Sequence, residues 1–454
     1  MNSCGARTDC DVVIAGGGIA GIAAALHLAD HGKRVILCEA TRRLGGRATS
    51  LVDQRSGEEI DNCQHVALGC CTTYLAMLAR LDSTRHLRWD REQTWIEAGG
   101  RRSTLRPSAL PAPFHQTPAF LGASFLSPIE KLAIGRCMAA IARSNVDRWR
   151  RATFGDFLDR HHQPEGARRR FWDPIVISAC NLVPSRVAAS SALKVFKEGF
   201  LASPRAAEIG VSRVPLASLY DAVGPELTAL KGHVALGARA ARIDERRVEL
   251  ASGEVIRAGA VICALPPTQA ARLVSDERSA DIAAIGTSPI IGVHLRFDRP
   301  VIDVPHAVLV DRPTQWLFRK DEAGESVHAV ISAADEWVDL DEDSIVERVR
   351  DDMSACLPAS VDAQLSHARA IKEKRATFAA TPEVERRRPT QAPERAGGIV
   401  LAGDYTQTGW PATMEGAARS GAYAAEVVLG LPRGELIAPE LAPTGFSRWL
   451  DPNS

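Results

Sequence analysis

Aromatic residues, net charge, long apolar runs and paired cysteines are all scarce in this chain of 454 residues, and each shortage excludes a class of protein. Only 5% of the residues are aromatic, so any apolar pocket must be lined mainly by aliphatic side chains. The 55 Lys and Arg residues balance 55 Asp and Glu residues, which removes the general electrostatic case for a nucleic-acid partner. The longest near-apolar stretch, residues 19–29, is far shorter than the roughly 20 residues needed to span a bilayer.

The chain also lacks paired cysteines and a secretory signal pattern at its N-terminus. None of the ten cysteines stands in a C-x-x-C pair, although Cys70 and Cys71 are adjacent. We therefore predict no metal site and expect reduced thiols packed as small apolar side chains. Residues 1–10 lack the basic start and apolar core of a secretory signal, so we expect a cytoplasmic protein.

What is present describes a large folded protein. Hydrophobic residues make up 45% of the chain and charged residues 24%, which excludes a disordered chain. The length predicts two or three domains with a core that needs no disulfide or metal.

The strongest N-terminal motif is a glycine-rich turn between a strand and a helix. Residues 11–15 form a short apolar run, and Gly16-Gly17-Gly18-Ile19-Ala20-Gly21 follows directly and opens a helical pattern. Glycines permit the tight turn and the close approach of a pyrophosphate, and the helix N-terminus supplies free N–H groups. A second strand at residues 34–38 ends at Glu39, 18 residues after Gly21, where a carboxylate can accept hydrogen bonds from ribose hydroxyls. This βαβ unit predicts a dinucleotide site on a parallel sheet.

The rest of the chain changes character twice. Residues 74–200 mix helical patterns with proline-rich breaks, and the polar residues 382–395 separate the last unit from the preceding one. Residues 343–356 predict an amphipathic helix, and the last unit predicts a strand at 399–402 and a helix from about Met414. Short apolar runs between turn residues predict further strands at residues 234–236, 240–243, 248–250, 261–264, 293–297, 307–310, 316–318 and 327–331.

Two further motifs indicate which dinucleotide binds. Arg43-Leu44-Gly45-Gly46-Arg47 and Leu401-Ala402-Gly403-Asp404-Tyr405-Thr406 resemble the second and the closing motif of the FAD-dependent amine oxidase and carotene desaturase superfamily. The resemblance implies FAD, with Asp404 bonded to the ribityl chain and the helix start at Thr413 and Met414 facing the flavin pyrimidine. A helix N-terminus there would stabilise negative charge on a reduced flavin. The residues assigned to FAD binding by the motifs and the resemblance are Gly16, Gly18, Ile19, Ala20, Gly21, Glu39, Ala40, Gly45, Gly46, Arg47, Ala240, Gly403, Asp404, Thr413 and Met414.

The resemblance also implies the fold. We expect an α/β protein with a discontinuous, GR2-type Rossmann-like FAD-binding domain and an inserted α+β substrate domain. The expected FAD-binding segments are 1–62, 208–288 and 392–454, and the expected substrate-domain segments are 63–207 and 289–391.

A narrower resemblance rests on two stretches. Residues 61–70, with Asp61 and His65, and residues 403–417, with Trp410, are similar to the hydroxysqualene dehydroxylases, the squalene-associated FAD-dependent desaturases of hopanoid biosynthesis. This group implies reductive loss of an allylic hydroxyl from hydroxysqualene, a long isoprenoid, to give squalene. Cys63 departs from the family pattern, which has glycine there.

The residues for chemistry are less specific than those for the cofactor. Loss of hydroxide needs a proton donor, and the family pattern places His65 near the flavin, so His65 is the candidate catalytic acid. The alternative is that His65 is a structural histidine bonded to the backbone. Asp61 is expected to stabilise the local loop (a loop brace) and not to act as an acid. The electron donor stays open.

Two other flavin-dependent activities are alternatives. A carotene-type desaturase would keep the fold and reverse the electron flow. A flavin amine oxidase would need a lysine near flavin N5 and an aromatic cage, but residues 289–297 contain no lysine, and Thr413 stands where a cage tyrosine is expected.

Three arginine clusters, at residues 148–151, 168–170 and 386–388, read as solvated surface. The alternative is peripheral contact with anionic lipid at the inner face of the membrane.

Overall fold

The computed structural model describes residues 9–393 and 397–449. The strands are β1 (Cys10–Ala15), β2 (Val35–Glu39), β3 (Ser50–Val52), β4 (Glu59–Asp61), β5 (Val66–Leu68), β6 (Leu87–Asp90), β7 (Gln93–Ile96), β8 (Arg102–Leu105), β9 (Ile209–Ser212), β10 (His233–Leu236), β11 (Ala240–Asp244), β12 (Arg247–Leu250), β13 (Val255–Cys263), β14 (Thr287–Phe297), β15 (His306–Leu309), β16 (Trp316–Arg319), β17 (Ser326–Ser332), β18 (Leu365–Phe378) and β19 (Val400–Leu401). The α-helices are α1 (Ile19–Asp30), α2 (Thr72–Arg80), α3 (Thr117–Gly122), α4 (Pro128–Arg143), α5 (Phe154–Arg160), α6 (Glu165–Ala167), α7 (Asp173–Cys180), α8 (Ala189–Phe196), α9 (Val223–Ala229), α10 (Pro267–Leu273), α11 (Ser279–Ala283), α12 (Glu342–Cys356), α13 (Pro382–Arg387) and α14 (Met414–Leu429).

The first sheet contains the predicted βαβ unit. Its order is β10–β2–β1–β13–β12–β11, with β19 beside β13, and β10, β2, β1, β13 and β19 run parallel. α1 follows β1 and packs against α14, so nearly every position of α1 is buried. The parallel sheet confirms the predicted α/β class, and it is assembled from three separated parts of the chain. The segment boundaries given above stay our proposal.

The second sheet forms the other half of the molecule. Its order is β18–β14–β17–β16–β15–β7–β8, antiparallel except for the parallel pair β15 and β7. One face carries Val293 and Ala329 and is covered by Val349 and Met353 of α12. Because side chains alternate along a strand, His294, His328 and Val330 lie on the opposite face.

The aromatic residues are concentrated in a third region, formed mainly by α4, α5, α7 and α8. Phe154 stacks on Phe157 and Phe196, and Trp172 meets Phe154 and Phe196 edge to face. Many of the few aromatic side chains therefore lie in this helical core. No helix within residues 9–393 or 397–449 combines the length and the apolar character needed to cross a bilayer.

Several strand assignments differ from the sequence prediction, and β3, β4, β5 and β9 were not predicted at all. β6, β7 and β8 lie inside residues 74–200, where the sequence indicated helices and breaks. β18 was missed because it is an edge strand, paired only with β14, and its 14 residues keep a polar face instead of forming an apolar run. β13 also begins earlier than the predicted residue 261.

The prediction that the arginine cluster at residues 386–388 is solvated surface is wrong for Arg388. Arg388 is only 3% exposed, and its guanidinium donates to the carbonyls of Asp404, Thr406 and Trp410 at 2.5–2.8 Å. The loop after β19 turns its carbonyls inward, and one guanidinium satisfies several of them at once. Residues 382–395 were predicted as a polar separator. Residues 394 and 395 lie outside the described residues, and the described part begins with α13 and is joined to the closing motif by Arg388.

Candidate active site

The first glycine motif forms the tight turn that the sequence predicts. Gly16 has φ +111°, and a Cβ placed on Gly21 would lie 1.9 Å from the Gly16 carbonyl oxygen, so only glycine fits there. Gly18 caps α1 without any side-chain acceptor, which leaves the N–H groups of Ile19 and Ala20 available to a ligand. A pyrophosphate is the group that such a turn accommodates.

The second glycine motif lies directly against the first. The Gly45 N–H donates to the Gly17 carbonyl at 2.9 Å, and Gly18 forms an isolated parallel bridge with Gly45. A Cβ on Gly46 would lie 3.0 Å from the Gly18 Cα, whereas a Cβ on Gly18 would meet nothing nearer than 3.9 Å. The two motifs therefore leave a backbone-lined space at Gly18 that a bound phosphate group can fill.

Glu39, the last residue of β2, connects the glycine-rich turn with the segment that leads to Ala240. Its carboxylate accepts hydrogen bonds from the N–H groups of Gly17 and Thr41, both at 2.8 Å. A carboxylate has further lone pairs, so these bonds leave acceptor capacity for ribose hydroxyls. The Ala238 N–H donates to the Glu39 carbonyl at 2.8 Å, which brings the segment leading to Ala240 beside Ala40.

The closing motif reaches the same place from the other end of the chain. The Arg47 guanidinium lies 2.6 Å from Asp404 Oδ1, and Gly403 precedes this pair. Thr413 caps α14 by accepting from the Gly416 N–H at 3.1 Å, and Met414 is the first residue of that helix. The structure therefore brings together the two glycine motifs, Glu39 and the Arg47–Asp404 pair. The placement of Ala240, Thr413 and Met414 at the flavin, and the individual role of every residue, remain our proposal.

His65 is bonded to the backbone. Its Nδ1 lies 3.1 Å from the Cys63 carbonyl oxygen, which can only accept, so Nδ1 carries the hydrogen and Nε2 has the lone pair of the neutral ring. Burial lowers the pKa of His65 below its usual value, against the opposing effects of the Cys63 carbonyl and Asp61. A neutral His65 is a better acceptor than acid at neutral pH, and its role as proton donor stays a prediction.

Asp61 braces the loop before His65. Its Oδ1 accepts from Ser50 Oγ and the Leu216 N–H, both at 2.9 Å, and its Oδ2 lies 3.4 Å from Lys320 Nζ. These contacts fit the loop-brace interpretation.

Two more histidines lie nearby, and sequence reasoning assigned them no role. His294 and His328 face each other across β14 and β17, and their rings stack at 3.8 Å. A Cβ on Gly292 would lie 2.6 Å from His328 Nε2 and 3.5 Å from the Cys63 Cα, so His328 fills the space that a side chain at Gly292 would need. His328 is fully buried and neither ring nitrogen has a partner within the described part of the chain.

Cys63 adjoins an apolar wall. It packs with Ile209, Val211, Phe318 and Val330, which come from three different strands. Burial raises the pKa of the Cys63 thiol to about 12, so it stays protonated. Cys63 has a negative φ, so the backbone there does not require the glycine found in the family pattern.

Comparison with known proteins identifies the family. The sequence profile described as flavin containing amine oxidoreductase matches residues 19–429. The chain is 28% identical to hydroxysqualene dehydroxylase from Zymomonas mobilis, over 92% of this chain and 98% of that protein. It is 27% identical to the chloroplastic/chromoplastic 15-cis-phytoene desaturase of an Oncidium hybrid cultivar, over 92% of this chain and 78% of that one.

The fold is shared with solved enzymes. Cyclohexylamine oxidase from Brevibacterium oxydans superposes with a TM-score of 0.67 at 20% identity, covering 93% of this chain and 99% of that one. The glycine cradle, the acidic residue that ends β2 and the start of α14 fit a dinucleotide carrying a ring system, and FAD is the cofactor. The chain belongs to the flavin containing amine oxidoreductase family and is an FAD-dependent oxidoreductase.

Proposed function

We propose that the protein is a hydroxysqualene dehydroxylase, which replaces the allylic hydroxyl of hydroxysqualene by hydrogen and releases squalene and water. Bound FAD in its reduced form supplies the hydride for this reaction. Relatives of that name support the proposal, including the Zymomonas mobilis protein at 28% identity over nearly its whole length.

The observation that carries the proposal is the apolar wall beside Cys63. Ile209, Val211 and Val330 present aliphatic surface next to the loop that holds His65, and Val66 and Ile290 pack against them. Such a wall suits a hydrocarbon chain and would keep water away from a hydroxyl bound beside it. It offers no group that would select an amine.

The hydrogen bonds of His65 and His294, next to this wall, determine which nitrogen of each ring carries the hydrogen. Neutral His65 keeps Nδ1–H on the Cys63 carbonyl, so Nε2 is the ring atom free to bond the substrate hydroxyl. His294 Nε2 lies 2.9 Å from the Asp61 carbonyl oxygen and therefore carries a hydrogen. Lowered pKa values keep His65 and His294 neutral at neutral pH, so a hydroxyl here meets a hydrogen-bonding ring without an added charge.

The direct test is product formation. Purified holoprotein, a chemical reductant and hydroxysqualene are incubated without oxygen, and products are identified by mass spectrometry. Squalene above the no-enzyme control is expected, and His65→Gln should lower its rate while FAD content is unchanged. Squalene at the control level with fully reduced flavin would refute the proposal.

A carotene-type desaturase is the second candidate, because a phytoene desaturase is also similar over 92% of this chain. The same apolar wall would accept a longer polyene. Expression in a phytoene-producing host separates the two, since only desaturation extends a chromophore and produces colour.

Amine oxidation is disfavoured by the geometry. β14 contains no lysine, and the Thr413 hydroxyl is used to cap α14. His328, and not a lysine, occupies the space beside Gly292.

A further inference from the structure

Exposed apolar side chains are concentrated on one part of the surface. Ten large hydrophobic residues of the described chain are exposed, and six of them lie within residues 110–132 or at residue 446. Ile129 is the most exposed, at 76%, although single exposed hydrophobics elsewhere are ordinary. We call this group the apolar patch: Leu110, Phe114, Leu121, Ile129, Leu132 and Phe446.

Contacts between the segments make the patch continuous. The Phe114 and Phe446 rings meet edge to face at 6.2 Å, and the Phe446 N–H donates to the Ala112 carbonyl. α3 follows Phe114 closely, and Lys131 Nζ donates to the Leu121 carbonyl at 2.7 Å, which holds the end of α3 beside the first turn of α4.

α4 turns one stripe of side chains outward. Its start is fixed by a capping box in which Ser127 and Glu130 bond reciprocally, and Ile134, Cys137 and Ile141 are buried on its inner face. Ile129, Leu132, Arg136 and Arg143 follow helical spacing on the opposite, exposed face. The stripe is therefore apolar at its start and cationic at its end.

The charge around the patch is predominantly positive, although Arg101, Arg102 and Arg106 pair with acids outside residues 98–155. Residues 98–155 contain nine Lys and Arg residues but only two acids, in a chain whose total charge is zero. One of those acids, Glu130, is buried against Arg170, and the other, Asp147, pairs with Arg150. Four exposed arginines form no ion pair with any described residue, and we call them the arginine rim: Arg136, Arg143, Arg148 and Arg151.

We propose that the apolar patch and the arginine rim dock the protein on an anionic lipid bilayer, with the patch inserted among the acyl chains and the rim at the headgroups. A helix with apolar and basic residues on one exposed stripe is suited to the interface of such a bilayer. A second protein copy would carry the same positive field, so self-association through this face is disfavoured electrostatically. The inference rests on the surface alone and does not depend on the substrate.

Docking in this orientation has a consequence for access. A cavity of about 530 Å³ lies beside the patch, and its lining includes Pro113, Ala142, Val146 and Ser447. Pro113 and Ser447 adjoin Phe114 and Phe446 of the patch. Contact with lipid would place this cavity, which is also lined by Lys194, Glu198 and Glu440, at the membrane surface.

The test is vesicle co-sedimentation of the full-length holoprotein. Vesicles of phosphatidylcholine alone are compared with vesicles that also contain phosphatidylglycerol, at low and high salt. Binding is expected only with phosphatidylglycerol and should weaken with salt, since the headgroup contacts are electrostatic. Ile129→Ser should lower the partition coefficient roughly tenfold, and Arg136→Gln and Arg143→Gln about fivefold each.

Matched controls replace the same residue types elsewhere. Val361→Ser removes an apolar side chain that is 57% exposed, and Arg242→Gln removes an exposed cation, both remote in sequence from the patch. Neither should change binding, and FAD content and thermal midpoint should stay the same in all variants. Equal binding to both vesicle types, or equal losses in patch and control variants, would overturn the proposal. A dimer in sedimentation velocity that Ile129→Ser dissociates, without vesicle binding, would also overturn it and assign the face to a second copy.

Discussion

The Arg47 guanidinium and the Asp404 carboxylate form an ion pair at 2.6 Å, although the two residues are 357 positions apart in the chain. Asp404 is 5% exposed, and Arg47 also donates to the Ala376 carbonyl at the end of β18. One side chain therefore joins the second glycine motif, the closing motif and the substrate-side sheet.

Removing Arg47 should destabilise both the fold and the cofactor site. Arg47→Leu leaves the Asp404 carboxylate buried without its partner, so we expect a loss of about 2–3 kcal/mol in the free energy of unfolding. The ratio of bound flavin to protein should fall with it. Arg34→Leu breaks the exposed pair with Asp11 and should cost less than about 1 kcal/mol, as measured by urea unfolding. Equal effects would contradict the importance assigned to Arg47.

Gly21 and Gly135 predict opposite results for the same substitution. Gly21→Ala places a methyl group against the Gly16 carbonyl and should cost about 3 kcal/mol and abolish FAD retention. Gly135 lies in the exposed interior of α4 with open space around it, so Gly135→Ala should stabilise by about 0.5–1 kcal/mol. Thermal unfolding and flavin absorbance check both.

Glu415 holds α2 against α14. Its carboxylate accepts from the N–H groups of Thr73 and Tyr74 and from Arg419 Nε at 2.6 Å, and it is fully buried. Glu415→Gln keeps the shape but removes the charge, so we expect a loss of about 3 kcal/mol. Glu226→Gln, at an exposed carboxylate, is the control and should be nearly neutral in the same unfolding assay.

The buried histidines predict acid sensitivity. Burial lowers the pKa of His328 well below its usual value, and the neighbouring His294 and Lys320 lower it further. As pH falls below about 6.5, the unfolded chain gains protons that folded His328 does not, so stability is complete above that pH and declines below it by up to about 1.4 kcal/mol per unit.

His328→Leu should remove part of this decline and His233→Gln, at an exposed position, should not. Urea unfolding at about pH 5 and about pH 8 measures the difference. An unchanged slope in His328→Leu would show that His328 titrates normally.

Cys63 should be unreactive in the folded protein. Its thiol is 4% exposed and its pKa is raised to about 12, so almost no thiolate is present at neutral pH. Alkylation followed by peptide mass mapping should label Cys63 only after denaturation. Labelling of the native protein within minutes would indicate an open path to this thiol.

The predictable part of this protein depended on local chemistry. The turn at Gly16–Gly21, the acid at the end of β2 and the helix start at Met414 follow from residues close in sequence, because turn geometry and helix capping are local requirements. Strands with continuous apolar runs, such as β1 and β2, were found for the same reason. β18 was missed because an edge strand with one polar face carries no such run.

Only the tertiary structure decided which distant residues meet. Arg388 was predicted as solvated, yet it is buried because a loop from the closing motif turns its carbonyls towards it. The stacked His294 and His328 and the space at Gly292 depend on the register of β14 with β17, which no local pattern encodes. The sequence determined that a dinucleotide binds, through local backbone requirements. Long-range packing decided what surrounds it, because the free energy of burial depends on partners that are far apart in the chain.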